Sequence, residues 1–436
     1  MISISTSLGY YKRSDIREEM TYNCRDREIA AKFNDSFAKR PDIIRHSGDI
    51  LELAKQGATS FHASEEIWKN PLQLDTSLRK SELDSLRAGW DLIIDIDCGF
   101  FEYSKIAADI IIKALKFHGI GSISCKFSGN KGFHIGVPFE AFPEKIGSME
   151  IHALFPQAPR RIALYLKEMI KRPLGTEIEK FEQGNFNLII EKTGKTAAEI
   201  TYKEDQTIKL NAEPFLTIDT LLISSRHLYR MAYSLNEKSQ LASVPIDPSE
   251  VLNFKKETAM PKNVAVSSKR FLDTSSIKKD EAKQLLVQAY DFCTRHEQQE
   301  QQSSPKAEFK QVESALSEDI FPPCIKIILD GLEDGKKRAL FILINYLTSV
   351  GWDYDMVEKK LREWNSKNKE PIREVYLLGQ IRYHKQMKKL IPPPNCKNEM
   401  YMLGIGVCRP DGFCPRIKNP AQYSTKKAWM AGKKGK

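Results

Sequence analysis

The stretch Trp90–Gly99, with the sequence WDLIIDIDCG, decides the fold and the chemistry expected of this chain. An apolar run there ends in two aspartates, Asp95 and Asp97, which are separated by one residue. Because successive side chains of a strand point to opposite faces, both carboxylates face the same side. Such a pair repels itself unless a cation lies between the groups, and Mg²⁺ takes carboxylate oxygens together with substrate phosphates. The stretch therefore predicts a strand that carries a metal site.

A second stretch, Phe127–Pro138 with the sequence FSGNKGFHIGVP, reads as a turn that runs into another strand. The apolar side chains of this strand face the core, and His134 faces the other side. Gly132 and Gly136 are expected to leave room for a ligand beside that histidine. A histidine at such a place can donate to a phosphate oxygen. The phosphate-binding candidates here are Ser128, Lys131, His134 and the N–H groups of the turn.

A third region adds a carboxylate and several basic residues. The short apolar run Phe215–Ile218 is followed by Asp219, which predicts a third ligand for one or two Mg²⁺ or Mn²⁺ ions. The next segment, SSRHLYRMAYSLN, contains Arg226 and Arg230 within about two turns. A solvated basic face would look the same. Their position after a metal carboxylate favours contact with a triphosphate or a template.

Length and composition limit the class of protein. At 436 residues the chain is long enough for two or three domains, and 41% hydrophobic residues suffice for ordinary cores. The net charge of +10 favours a polyanionic partner such as nucleic acid, although many proteins are modestly basic. No apolar run reaches the ~18–20 residues of a membrane-spanning helix, and the N-terminal segment lacks a signal-peptide layout. We expect a cytoplasmic, nucleoid-associated protein with reduced cysteines and no membrane partner.

The chain changes character near residue 254. Before it, strands alternate with helices and predict an α/β (α+β) domain. After it comes a charged stretch and a Gln/Ser-rich linker, and then segments with apolar residues at helical spacing. The predicted organisation is a catalytic domain over 1–253, a connector over 254–318, a mainly α-helical domain over 319–424 and a basic tail over 425–436.

The three motifs together resemble those of the archaeo-eukaryotic primases. DID at 95–97, SGNKGFH at 128–134 and Ile218–Asp219 follow the order DxD, SxxxGxH and hydrophobic–Asp of the catalytic small subunit, over roughly residues 10–250. The resemblance implies a primase-polymerase fold whose metal ligands are Asp95, Asp97 and Asp219. It also implies a nucleotide site formed by Ser128, Gly129, Lys131, His134, Arg226 and Arg230.

Two features differ from the family pattern. Asn236 stands where the family usually has a histidine that contacts the nucleotide. Between residues 98 and 293 the sequence has only Cys98 and Cys125, without ligand spacing, so the zinc knob of typical small subunits is expected to be missing. The family's N-terminal basic contacts have three candidates here, which are Arg27, Arg40 and Arg45.

Four cysteines after the linker each lie next to a proline or a glycine, or close to one. Wide and irregular separations suit a four-cysteine cluster better than a zinc ribbon with paired C-x₂-C knuckles. The segments PPCIKIIL and CPRIKNPAQY, at the two ends of residues 318–424, resemble the iron–sulfur domain of the large primase subunit. This resemblance implies a [4Fe–4S] cluster bound by Cys324, Cys396, Cys408 and Cys414; four unrelated buried thiols are the alternative.

The two resemblances predict an archaeal-type, single-chain primase that makes short primers de novo on single-stranded DNA from NTPs or dNTPs. Its partners would be the template, the primer–template duplex and replication proteins. Alternatives are a primase-polymerase of repair or lesion bypass, a dehalogenase-like phosphatase with Asp95 as nucleophile, and a non-catalytic nucleic-acid-binding iron–sulfur subunit. The helical domain would contact the template through Lys336, Lys337, Arg338 and Arg382.

Overall fold

The computed structural model divides between Ser304 and Pro305 into two compact units. Residues 254–303 belong to the first unit, because Phe254, Phe271 and Leu285 are buried in its core. The predicted connector over 254–318 therefore overlaps the folded first unit for most of its length. The structure describes residues 2–33, 36–75, 77–204, 207–218, 223–303, 314–386 and 390–434.

The first unit mixes helices and strands, as the sequence predicts. Its helices are α1 Ile4–Tyr11, α2 Ser14–Tyr22, α3 Ser47–Lys55, α4 Lys80–Leu86, α5 Phe101–Phe117, α6 Gln157–Phe181, α7 Phe186–Thr193, α8 Ala197–Ile200 and α9 Lys283–Ser303. Its strands are β1 Ile29–Phe33, β2 Ser36–Phe37, β3 Ser60–Ser64, β4 Glu66–Trp68, β5 Arg87–Trp90, β6 Leu92–Cys98, β7 Ser124–Phe127, β8 Phe133–Val137, β9 Lys145–Ile146, β10 Met149–Glu150, β11 Thr201–Glu204, β12 Thr207–Leu210, β13 Leu216–Ile218, β14 Leu228–Arg230 and β15 Pro245–Ile246.

The central sheet has five strands in the order β13-β6-β8-β7-β15, and every neighbouring pair is antiparallel. The domain is therefore of the α+β kind, without the parallel pairs of a doubly wound sheet. Helix α5 packs on β6 and β8, and the ring of Phe101 stacks on Phe133 at a centroid distance of 5.4 Å. This packing fixes the start of α5 next to the end of β6 that carries the aspartates.

A second sheet has the order β14-β3-β1-β2. Its register places Arg230 of β14 opposite His62 of β3. The loop before β14 is held by a buried ion pair, in which Arg87 Nη2 lies 2.7 Å from Glu66 Oε1 and the same carboxylate accepts the backbone N–H of Arg226. The second sheet thus places the histidine and the arginine directly opposite each other on neighbouring strands.

The second unit is helical, as predicted, and its core is a separate apolar cluster. Residues 420–434 form a helix where the sequence predicted a basic tail from 425. Within the described part of the chain, no helix is both long and apolar enough to cross a membrane. The helices are α10 Pro323–Leu329, α11 Lys336–Ser349, α12 Tyr354–Lys367, α13 Glu374–Gln386 and α14 Pro420–Lys434.

Candidate active site

The two aspartates of β6 share one face of the sheet. Asp95 and Asp97 are exposed, and all the remaining residues of β6 are buried. Half of the Asp95 side chain is open to solvent. The alternation agrees with the strand geometry expected from the sequence. Strand β13 places Thr217 opposite Asp97 and ends at Ile218, opposite Ile96. Asp219, the predicted third ligand, lies outside the described residues.

A row of three ionisable side chains crosses the sheet from Asp95. His134 of β8 is paired with Asp95, and Lys126 of β7 is paired with His134. The Nε2 atom of His134 lies 3.5 Å from Asp95 Oδ1. Among the described residues, the buried Nδ1 atom of His134 has no hydrogen-bond partner. The imidazole thus has one nitrogen, Nε2, beside an exposed carboxylate and the other, Nδ1, buried without a partner, so a polar ligand at this place could complete its hydrogen bonds.

Lys126 is completely buried and was not singled out from the sequence. Its Nζ atom donates to Ser243 Oγ at 2.9 Å and lies 5.7 Å from the ring centre of Tyr229 and 5.1 Å from that of Phe271. Burial lowers the pKa of Lys126 well below its usual value, while the charge of Asp95 raises it. A buried ammonium with one hydroxyl partner and two rings is poorly compensated, so a bound anion would stabilise it.

His62 is a second buried histidine that sequence reasoning missed. Its Nδ1 atom, like that of His134, has no hydrogen-bond partner among the described residues. Burial lowers the pKa of His62 well below its usual value, and the charges of Arg230, Lys32 and Lys126 lower it further. Burial lowers the pKa of His134 in the same way, with Lys126 and Arg230 adding to the effect. The buried groups His62, Lys126 and His134 therefore form one cluster next to Asp95, and the half-buried Arg230 borders it.

The turn of the second motif closes on itself. The backbone N–H of Ser128 donates to the carbonyl of Gly132 at 2.9 Å, and the N–H of Gly132 donates to Ser128 Oγ at 3.3 Å. Gly129 has a φ of +93°, which disfavours a side chain. A Cβ atom there would lie 3.2 Å from Asn236 Cβ and 3.6 Å from Arg230 Cδ. The turn thus sits directly against Arg230.

The two glycines that flank His134 do not leave room for a ligand, which corrects the expectation from the sequence. A Cβ on Gly132 would lie 1.6 Å from the carbonyl oxygen of Ile96. A Cβ on Gly136 would lie 2.7 Å from Leu272 and 2.9 Å from Phe271. The space at each glycine is filled by the chain itself, and the glycines permit this close packing.

The two predicted nucleotide arginines have different surroundings. Arg226 makes two hydrogen bonds to the buried carboxylate of Glu28, of 3.1 and 2.6 Å, and Arg40 makes two more of 3.0 Å each. The guanidinium of Arg226 therefore serves an internal ion pair. Arg230 donates to Leu235 O and, at 3.0 Å, to Glu237 Oε2. Of the two, only Arg230 is brought to the buried cluster.

The other basic candidates of the first unit, Arg27 and Lys131, also lie in different surroundings. Arg27 is buried and paired with Asp91, so it supports the fold. Lys131 is exposed, and its carbonyl accepts a hydrogen bond from Ser104 Oγ at 2.9 Å. Burial lowers the pKa of Lys256, which the charge of Lys131 lowers further and that of Asp97 raises. The residue after Lys131 packs on the backbone of Asp97, since a Cβ on Gly132 would lie 3.2 Å from Asp97 Cα, so Lys131 follows the chain on the Asp97 side of the carboxylates.

In the second unit, the four predicted cysteines line one cavity of about 310 Å³, together with Pro322, Met402 and other mainly apolar groups. Burial, together with charge on the other three cysteines, raises the pKa of Cys324 to about 12, so the four thiols lie near one another. Asp411 Oδ1 accepts the backbone N–H groups of Phe413 and Cys414, at 2.9 and 3.2 Å. This contact fixes the loop that presents Cys414.

The donor set consists of four thiols, and cysteine thiolates are ligands of both iron–sulfur clusters and structural zinc. Within the described ranges, no group of three or more His, Cys, Asp or Glu side chains is arranged to hold a single metal ion. A [4Fe–4S] cluster binds one cysteine to each iron and so spaces its thiolates more widely than one zinc ion does. Four cysteines around one largely apolar cavity match the number and type of ligands that a [4Fe–4S] cluster takes.

The comparisons with known proteins are limited. No protein-family model matches the sequence. An uncharacterized protein of Methanocaldococcus jannaschii is 43% identical over 58 residues, which cover 13% of this chain and 13% of that protein. The polymerase domain from Mycobacterium tuberculosis Ligase D in complex with DNA is 14% identical, with a TM-score of 0.36, and the match covers 66% of this chain and 89% of that one. Neither similarity assigns a family. The function proposed below is inferred from the positions of the side chains.

Proposed function

We propose that this protein is a DNA primase that synthesises short primers de novo on single-stranded DNA for replication. One observation carries the proposal: the exposed carboxylates of Asp95 and Asp97 share a strand face, and His134 and Lys126 continue from Asp95 across the sheet. Paired carboxylates beside buried cationic groups suit a substrate that brings a divalent cation and a triphosphate. NTPs and dNTPs are such substrates.

Asp95 and Asp97, with Asp219 as a third ligand, would hold one or two Mg²⁺ or Mn²⁺ ions. Ions in such sites activate the attacking 3′-hydroxyl as Lewis acids and neutralise charge at phosphorus. The pairing of Ile218 with Ile96, the residue between the two carboxylates, supports the inclusion of Asp219.

The triphosphate of the incoming nucleotide would lie on the Asp95 side. There His134 would donate to a phosphate oxygen from a ring nitrogen, and Arg230 and Lys126 would supply charge in a site of low dielectric. Ser128 and Gly129 would shape the adjoining turn. Arg226 is not part of this set, because its guanidinium is bound to Glu28.

In the second unit, Cys324, Cys396, Cys408 and Cys414 would bind the [4Fe–4S] cluster. A bound cluster would tie the loops around the cysteines to α10 and provide a redox-active centre. The shared cavity and the convergence of the four thiols support this assignment.

A basic cavity of the second unit is the proposed template contact. It has a volume of about 620 Å³ and includes Arg373 and Tyr376 with the sequence-predicted Lys336, Lys337 and Arg338. The Nζ atom of Lys337 lies 5.3 Å from the ring centre of Tyr376. Basic side chains with an aromatic ring are the elements of single-strand binding. Arg382, also predicted from the sequence, is exposed on α13.

The proposal is tested with purified protein, Mg²⁺ or Mn²⁺, and NTPs or dNTPs on two templates, one unprimed and one carrying an annealed primer. A primase gives short products on the unprimed strand. Extension of the annealed primer alone would support the repair or lesion-bypass polymerase instead.

Two further outcomes separate the remaining alternatives. Release of phosphate from a phosphomonoester, lost on Asp95→Asn but kept on His134→Gln, would support the phosphatase. Binding of single-stranded DNA without incorporation on either template would support a non-catalytic subunit.

A further inference from the structure

We propose that Lys105, Lys131 and Lys256, here called the lysine rim, bind the phosphates of the nucleotide or strand that supplies the 3′-hydroxyl. This inference rests on the proposed function and deepens it. It assigns the two phosphate-bearing reactants to opposite sides of the carboxylate pair, with the incoming triphosphate beside Asp95 and the growing strand beside Asp97.

Two lysines of the rim lie against one aromatic ring, and the backbone of the third is bonded to the same helix. The Nζ atom of Lys256 lies 4.2 Å from the ring centre of Phe101, and that of Lys105 lies 5.4 Å from it. The ring is itself fixed by stacking on Phe133 of β8. The backbone of Lys131 is fastened to the same helix by the hydrogen bond from Ser104 Oγ, of 2.9 Å. Three separate chain segments therefore converge at the start of α5.

The charges of the rim would be only partly offset in the proposed reaction. Lys105 Nζ pairs with Glu102 Oε2 at 3.0 Å, and Lys256 experiences the charges of Glu102, Lys131, Asp97 and Glu257. Three ammonium groups thus face three carboxylates, and a metal ion would take up the charge of one of them, Asp97, and leave the positive charge in excess. Like charges that are packed together repel each other, so a phosphate bound between them would stabilise the arrangement.

The solvent exposure of the lysine rim indicates which of the two reactants it binds. The cluster of His62, Lys126 and His134 is buried, which suits a small group such as a triphosphate. Lys105 is buried, whereas Lys256 is half-buried and Lys131 is exposed, so this side is open to solvent at Lys131 and Lys256. A growing strand has to move out by one nucleotide after each addition, and only an open side allows that. Either the 5′-phosphates of an initiating nucleotide or the phosphodiesters of a primer provide the required anion.

The test is binding of a fluorescent primer–template by anisotropy, without a catalytic metal, to the wild type and to the double variant Lys131→Gln/Lys256→Gln. Lys203→Gln, an exposed lysine of β11, is the matched control. We expect about 10-fold weaker binding by the double variant, and a dependence of log K on log salt that is shallower by about 0.7–0.9 for each lysine removed. The control should bind as the wild type does.

Steady-state incorporation completes the test. The KM for the incoming nucleotide should stay within about 2-fold of the wild-type value. A higher KM for the initiating nucleotide on an unprimed template would assign the rim to that nucleotide's phosphates, and a loss confined to the primed template would assign it to phosphodiesters; both support the inference. Unchanged primer–template affinity, or a raised KM for the incoming nucleotide, would overturn it. A wild type that binds with the predicted lysine dependence but does not polymerise would leave the rim standing and reject the proposed function.

Discussion

His134 lies directly opposite Asp95 in the β6–β8 pair, with its Nε2 atom 3.5 Å from the carboxylate Oδ1. Lys126 continues the row on β7. The exposed carboxylate is therefore backed by an imidazole and an ammonium that are both withdrawn from water. Each member of the row has a different expected effect when it is replaced, and these differences make the account testable.

Replacing His134 should remove a hydrogen bond to the triphosphate. We expect His134→Gln to lower kcat/KM for nucleotide incorporation about 100- to 1,000-fold, the usual range for losing a donor to developing charge. Thermal melting should show that the variant is folded. The control is His152→Gln, a partly exposed histidine beside Glu150, which should keep full activity. Equal losses in both variants would contradict a specific role for His134.

Replacing Lys126 should separate stability from function. Lys126→Met keeps the shape of the side chain and removes a buried, poorly paired charge, so we expect unfolding to require about 1 kcal/mol more free energy. The same variant should bind incoming nucleotide about 10- to 100-fold more weakly, because the triphosphate loses a cation. Chemical denaturation and nucleotide titration measure the two effects. A destabilised variant with normal nucleotide affinity would make Lys126 a structural residue.

The Glu28 ion pair predicts a stability that depends on pH. Burial alone would raise the pKa of Glu28, but the hydrogen bonds from Arg226 and Arg40 lower it below its ordinary value of 4.5. Because the pKa is lowered in the folded state, the stabilisation is complete above pH 4.5 and is lost as the pH falls toward the folded-state pKa.

We therefore expect Glu28→Gln to lower the free energy of unfolding by about 3 kcal/mol at pH 7, since a buried ion pair is broken. The difference from the wild type should shrink below pH 4.5. Glu191→Gln, on the exposed side of α7, is the control and should show no such trend. A difference between Glu28→Gln and the wild type that does not change with pH would refute the assignment.

The cysteine cavity predicts iron. Anaerobically purified protein should contain about four irons per chain, and Cys414→Ser should lose most of them. Cys293→Ser, a buried cysteine of the first unit, should retain the wild-type iron content. Zinc in place of iron, or equal iron in the two variants, would be incompatible with a [4Fe–4S] cluster at these four cysteines.

Local elements were predictable because periodicity reports which face is buried. The strand predicted within Trp90–Gly99 is Leu92–Cys98, and the strand predicted after the turn within Phe127–Pro138 is Phe133–Val137. The shared face of the two aspartates followed from the same periodicity.

Features that depend on long-range pairing were not predictable. Lys126 was visible only as one charge inside the apolar run ISCKF, and its contact with Ser243 joins distant segments. His62 meets Arg230 only through the β3–β14 register. Phe254 and Phe271 likewise pack in the core of the first unit. Because the sequence around them has only a weak local pattern, the end of that unit could not be predicted from it.

The central claim is that Asp95 and Asp97 form the catalytic metal site of a nucleotidyltransferase. The most direct measurement is incorporation of labelled nucleotide on unprimed single-stranded DNA by the wild type and by Asp95→Asn/Asp97→Asn, with the exposed Glu191→Gln as control. We expect short primers from the wild type and the control, and none above background from the double variant. Undiminished primer synthesis by the folded double variant would contradict a catalytic role of the two aspartates.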